Sequence, residues 1–127
     1  MDLQIQFTTT PIVIPTPPAT RETGAQVEFH GIVREGEHGR TIAGLQYEAY
    51  IPMADRQIRR ILDQLSATSP CQSVWFIHRL GWVPVGEASL YIRVHAPHRH
   101  PAFHLCSDLI DLLKKDVPIW KSASSAG

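Results

Sequence analysis

Cysteine is scarce. The 127-residue chain carries only Cys71 and Cys106, too few for a disulfide scaffold or a four-thiolate zinc site. Net charge is also lacking. Twelve basic residues balance twelve acidic ones, which argues against a protein that grips nucleic acid or an anionic membrane by bulk electrostatics. No apolar run approaches the ~18 residues of a membrane span. The opening Met1-Asp2-Leu3-Gln4 has no charged-then-apolar leader pattern. Internal repeats are missing. What remains is a 43% apolar composition, enough to bury a core of one domain's size. The expectation is a soluble, cytoplasmic protein with a single domain over residues 1–127. Lysine is rare too, and placed unevenly. All three lysines (Lys114, Lys115, Lys121) fall in the last 14 residues, against nine arginines elsewhere.

Leu3, Ile5 and Phe7 alternate with glutamines, the period of a half-buried strand. Four of the ten prolines (Pro11, Pro15, Pro17, Pro18) then impose an extended connector over residues 11–23. Gln26 to Val33 reads as a strand in which Gly31 marks a bulge or a close backbone approach. Thr41 to Tyr50 resumes β character beyond the polar turn Glu35–Gly39, so these two strands are expected to form a hairpin. Pro52 suits the first turn of a helix. Ala54, Ile58, Ile61, Leu62 and Leu65 then form one apolar stripe, with Arg56, Arg59 and Arg60 on its solvated face. Val74 to Leu80 and Ala88 to His95 are strand-like, separated by a turn-rich piece from Gly81 to Glu87. A second amphipathic helix carries Ala102, Phe103, Cys106, Ile110 and Leu113. It opens near Pro101 and stops before Pro118. Residues 122–127 read as a short flexible tail. The order of elements predicts an α+β fold with two main helices on a largely antiparallel sheet.

Three constellations could carry chemistry. His95, His98, His100 and His104 crowd ten residues. A zinc site needs convergent ligands, which Pro97 and Pro101 do not promise. His98 and Arg99 directly precede a helix N-terminus, which favours anions, and a guanidinium adds a bidentate phosphate grip. Lys114 and Lys121 flank Pro118, which forces the chain out of the helix so that Lys121 can fold back beside Lys114. Two amines held together suit proton transfer or nucleophilic work; the alternative is that helix-end lysines merely offset the dipole by ~0.3–1 kcal/mol. Finally, Gly31-Ile32-Val33-Arg34 ends a strand in an arginine, a rim residue or an anion ligand.

Taken in order, these segments resemble the large, catalytic subunit of molybdopterin synthase. The matching residues are Gly31 to Arg34, Leu45-Gln46-Tyr47-Glu48-Ala49-Tyr50 with Met53-Ala54, His78-Arg79-Leu80-Gly81, and Val85-Gly86-Glu87-Ala88-Ser89. They continue through His98-Arg99 with Ala102-Phe103, and Leu113-Lys114 with Val117-Pro118-Ile119-Trp120-Lys121. The likeness runs from about Gly24 to Lys121. Many members carry a helix before Gly24, where this chain has prolines, and many extend further beyond the Trp-Lys pair.

The resemblance implies an α/β hammerhead fold with an additional antiparallel β-sheet subdomain. It implies a sulfur transferase of molybdenum cofactor biosynthesis that converts cyclic pyranopterin monophosphate (precursor Z) into molybdopterin. Sulfur would come from the C-terminal thiocarboxylate of a small ubiquitin-like subunit, two of which flank a central homodimer in a heterotetramer. By position, Lys114 and Lys121 match the catalytic lysines, and Arg34, His98 and Arg99 match substrate-binding positions. No metal or cofactor is implied. Lys114 lies 15 positions after Arg99, roughly 22 Å along a helix, so a shared site across a two-fold dimer is the simplest way to join both ends. The rival readings are a persulfide sulfurtransferase using Cys71, a zinc hydrolase on the histidines, and a non-catalytic binding module of the same fold.

Overall fold

The computed structural model describes residues 1–16 and 20–125. The elements are β1 (Asp2–Thr8), β2 (Ala25–Ile32), β3 (Gly36–Glu37), β4 (Arg40–Ala49), α1 (Ile51–Ser66), β5 (Ser73–Arg79), β6 (Gly81–Pro84), β7 (Ala88–Ala96), α2 (Arg99–Asp116) and β8 (Ile119–Ser125). They make two sheets. The first has strand order β1-β5-β7-β2, with β1 parallel to β5 and the remaining pairs antiparallel. The second has order β3-β4-β6, with β8 added antiparallel to β4. This is an α+β architecture, as expected.

Alternation explains the first sheet. Leu3, Ile5 and Phe7 of β1, Val27 and Phe29 of β2, Val74 and Phe76 of β5, and Leu90, Ile92 and Val94 of β7 all pack into one core. The helices cover that face through Ala54, Ile58, Ile61 and Leu62 of α1 and Ala102, Leu105, Cys106, Leu109 and Leu113 of α2. The second sheet closes on Val33, Ile42, Leu45 and Val83.

Four expectations change. β2 and β4 do not form a hairpin: β2 pairs with β7, and β4 with β3, β6 and β8. Periodicity fixes which face a strand buries but not which neighbour it takes. Gly81–Pro84 is a strand rather than a turn, too short to display alternation. The turn itself centres on Gly86, at φ 90°. Phe103 lies outside the stripe of α2 and is 57% exposed; Leu105 and Leu109 occupy the buried face instead. Ser122–Ser125 belong to β8 rather than to a flexible tail, because the ladder along β4 satisfies their backbone groups. Residues 126–127 lie outside the described residues. So do residues 17–19 of the proline connector, whose described parts carry neither helix nor strand. The expected irregularity in β2 falls between Gly31 and Ile32.

Candidate active site

The C-terminal ends of β2 and β5 and the start of β7 meet at one end of the first sheet, beneath the last turns of α2. A pocket of about 480 Å³ opens here. Its floor is apolar, from Phe29, Leu90, Ile110 and Leu113. Ile32, Ser89, Ile119 and Trp120 continue the walls, and Tyr47 and His78 bring polar groups. Gly31 lines the pocket where a Cβ would come 3.3 Å from the Leu90 Cβ, so the missing side chain keeps that wall close.

Lys114 and Lys121 both line this pocket. Lys114 lies in the last turn of α2, where a cation complements the helix dipole. Val117 caps the helix, its N–H donating to the Leu113 carbonyl. Pro118 then turns the chain into β8, and its carbonyl accepts from the Tyr50 N–H at 3.2 Å. The register of β8 on β4 sets Lys121 opposite Tyr47. Thus two lysines seven positions apart reach one cavity through a helix stop and a strand pairing. The Lys121 ammonium lies 3.5 Å from Glu37.

His78 is the buried titratable group of the pocket, 4% exposed. It continues the alternation of Val74 and Phe76, and that position of a histidine on an apolar strand face is the signal that could have singled it out from sequence. Its Nδ1 is 2.8 Å from the Arg79 carbonyl. A carbonyl only accepts, so Nδ1 carries the proton and Nε2 of the neutral ring is the free acceptor. Burial holds the ring below its ordinary pKa of 6.5, with the Arg79 carbonyl opposing that trend. The Tyr47 ring meets it edge-on at 5.0 Å between centroids.

The other singled-out residues lie elsewhere. Arg34 is exposed in the loop after β2, and His98 and Arg99 are exposed at the start of α2. None of the three lines the pocket, and α2 separates Arg99 from Lys114 by about 22 Å of helix axis. One chain therefore does not bring both groups together. Among the four clustered histidines, His95 is buried with Nε2 2.8 Å from the Gln26 side-chain oxygen, while the rings of His100 and His104 stand 6.1 Å apart on α2. No three His, Cys, Asp or Glu side chains converge among the described residues. Burial pushes the Cys71 thiol up to about 11, and its Sγ donates to the Ser69 carbonyl. That is the reverse of an activated thiolate. Cys106 is buried in the core, and its pKa is likewise raised by burial. No helix among the described residues is long and apolar enough to cross a membrane.

Two helices on one face of a mixed sheet, a second sheet closing one end, and a dilysine pocket at the seam define an α+β protein with a cationic, small-molecule-sized cavity. A model of the MoaE protein family matches residues 7–116, and the chain belongs to that family. It is 42% identical over 98 residues to the human molybdopterin synthase catalytic subunit, covering 77% of this chain and 52% of that protein. The chain spans about half the length of the curated relatives it matches. Molybdopterin synthase from Staphylococcus aureus superposes with a TM-score of 0.83 at 32% identity, covering 95% of this chain and 91% of that one. A Helicobacter pylori complex of subunits 1 and 2 of molybdopterin-converting factor matches in fold, with a TM-score of 0.67 at 24% identity over 84% of this chain and 73% of that one.

Proposed function

We propose that this chain is the catalytic subunit of a molybdopterin synthase, a cytoplasmic sulfur transferase acting on cyclic pyranopterin monophosphate. The observation that carries the reading is the shared pocket of Lys114 and Lys121 in a chain of this family. The sulfur donor is the C-terminal thiocarboxylate of a small ubiquitin-like subunit. The subunit complex of the H. pylori relative supports a partner of that kind.

The pocket suits the chemistry. A thiocarboxylate is an anion, and ammonium groups at 114 and 121 offset its charge on the approach. Oxygen leaving the pterin side chain needs a proton, which a lysine at hydrogen-bond reach supplies. Each sulfur delivered leaves the tail as a carboxylate, with water providing the oxygen. The protein contributes no thiol of its own, in keeping with two buried or half-buried cysteines. The cyclic phosphate falls to Arg34, His98 and Arg99; the guanidinium groups of the two arginines grip phosphate bidentately. His98 and Arg99 are separated from the lysines of their own chain by the length of α2, so they serve the pocket of a second copy in a two-fold dimer. A small subunit at each end completes a heterotetramer.

The test is incubation of purified protein with a thiocarboxylated small subunit and precursor Z, followed by detection of molybdopterin. Product is expected only when all three are present. Absence of product with a folded, correctly assembled complex overturns the reading.

A further inference from the structure

The ion pair on Lys121 distinguishes the two lysines. β3 and β4 are joined by a two-residue turn, His38-Gly39, with φ of 51° and 74°. Positive φ at both central residues is the geometry that matches the twist of paired strands, and a glycine takes the second position without strain. The hairpin is tied further by the Ile42 N–H, which donates to the Glu35 carbonyl at 2.9 Å. Its product is a fixed backbone at Glu37. That side chain is only 15% exposed, and Oε1 lies 3.5 Å from the Lys121 Nζ. The same oxygen is 3.3 Å from Nε2 of His38, an 86%-exposed ring. Lys114 has no carboxylate within ion-pair distance among the described residues.

We propose that Glu37 is a positioning residue: it holds the Lys121 ammonium at the mouth of the pocket and tempers the pocket's attraction for anions. The inference rests on the synthase reading for its kinetic consequences, but not for the contact itself. A lysine has four rotatable bonds and a large rotamer entropy, so a free ammonium samples many positions. A carboxylate on a rigid hairpin narrows that range. It also adds a negative charge next to the place where an anionic tail must arrive, so it opposes binding while it organises the cation. Removing it should therefore separate the two kinetic constants.

Glu37→Gln keeps size and removes charge. The expected result is a kcat lower by about threefold, the scale of a partly exposed ion pair, with KM for the thiocarboxylated subunit unchanged or lower. Glu37→Asp keeps the charge on a shorter arm and should retain more kcat than the glutamine variant. An unchanged kcat in Glu37→Gln, or a KM that rises, overturns the proposal. The contact is read separately by carbon-13 spectra of protein whose lysines are dimethylated, which preserves their charge. With only three lysines in the chain, Lys121 is assigned by a Lys121→Arg control. Its signal should move in Glu37→Gln while those of Lys114 and Lys115 stay. A stationary Lys121 signal refutes the pairing even if the protein is an active synthase. A moving signal in a protein without synthase activity leaves the pairing intact and refutes the functional reading instead.

Discussion

The first sheet is covered by two helices over a core of sixteen buried residues, while the second closes on Val33, Ile42, Leu45 and Val83 alone. The difference in scale matches a difference in task. The larger layer supplies a rigid wall with Phe29, His78 and Leu90 at its end, all set by strand alternation against helices. The smaller layer brings Tyr47, Lys121 and Glu37, which meet through strand register and a tight hairpin. The pocket sits at the seam, so its chemistry depends on two layers with cores of unequal size being held in register.

The sharpest way to break that arrangement chemically is Lys114→Ala. It should abolish or severely reduce sulfur transfer while leaving the fold intact, and Lys121→Ala should also be impaired. Wild-type turnover by a folded Lys114→Ala protein would contradict the assignment. Mixing Lys114→Ala chains with Arg99→Ala chains sharpens the result. If sites are shared between copies, heterodimers carry one intact site, and random reassortment should restore about a quarter of full activity. If each chain builds its own site, the mixture stays inactive.

Stability variants address the two layers separately. Leu109 is fully buried between α2 and the first sheet, so Leu109→Ala should cost about 2–5 kcal/mol in denaturant unfolding. In the second sheet, a Cβ on Gly44 would lie 2.5 Å from the Val83 carbonyl oxygen and 2.6 Å from the Trp82 ring. Gly44→Ala should cost about 1–3 kcal/mol by overpacking and loosen β4 from β6. Hydrogen exchange should then rise in the second sheet while β5 and β7 remain protected. Uniform loss of protection would mean that the layers unfold as one unit.

The smallest expected effect is a pH dependence. His78 and His95 have folded-state pKa values below the ordinary 6.5, chiefly because burial disfavours the charged ring. The unfolded chain therefore binds more protons as pH falls through that range. Their contribution to stability is complete above pH 6.5, and it declines from there down through the depressed folded values. Urea midpoints at pH 7.5 and 5.5 should differ less in His78→Gln than in wild type. An equal difference in both would show that His78 titrates as freely in the fold as out of it.

Where neighbours in sequence are also neighbours in space, the chain is transparent. The alternation of Leu3, Ile5 and Phe7, the stripe from Ala54 to Leu62, and the helix stop at Pro118 are all local, and each matches the observed element. The site was legible in part for the same reason. Lys114 and Lys121 are separated by one helix end and one proline, so their approach follows from local geometry. Glu37 was not, because a glutamate in a glycine-bearing turn looks ordinary until a distant partner arrives, whereas His78 left only the signal of a histidine in line with Val74 and Phe76.

What the amino-acid sequence determined by itself is the identity and buried face of most elements, since hydrophobic period and proline placement act within a few residues. The tertiary structure alone decided that β2 pairs with β7, that Gly81–Pro84 joins β4 as a strand, and that Ser122–Ser125 extend the same sheet on its other side. Those pairings join backbone edges that lie far apart in the chain. Hydrogen bonding at a strand edge is nearly independent of side-chain identity, so no residue pattern announces the partner. The same physics placed Glu37 against Lys121, a pairing written in the register of three strands rather than in any motif.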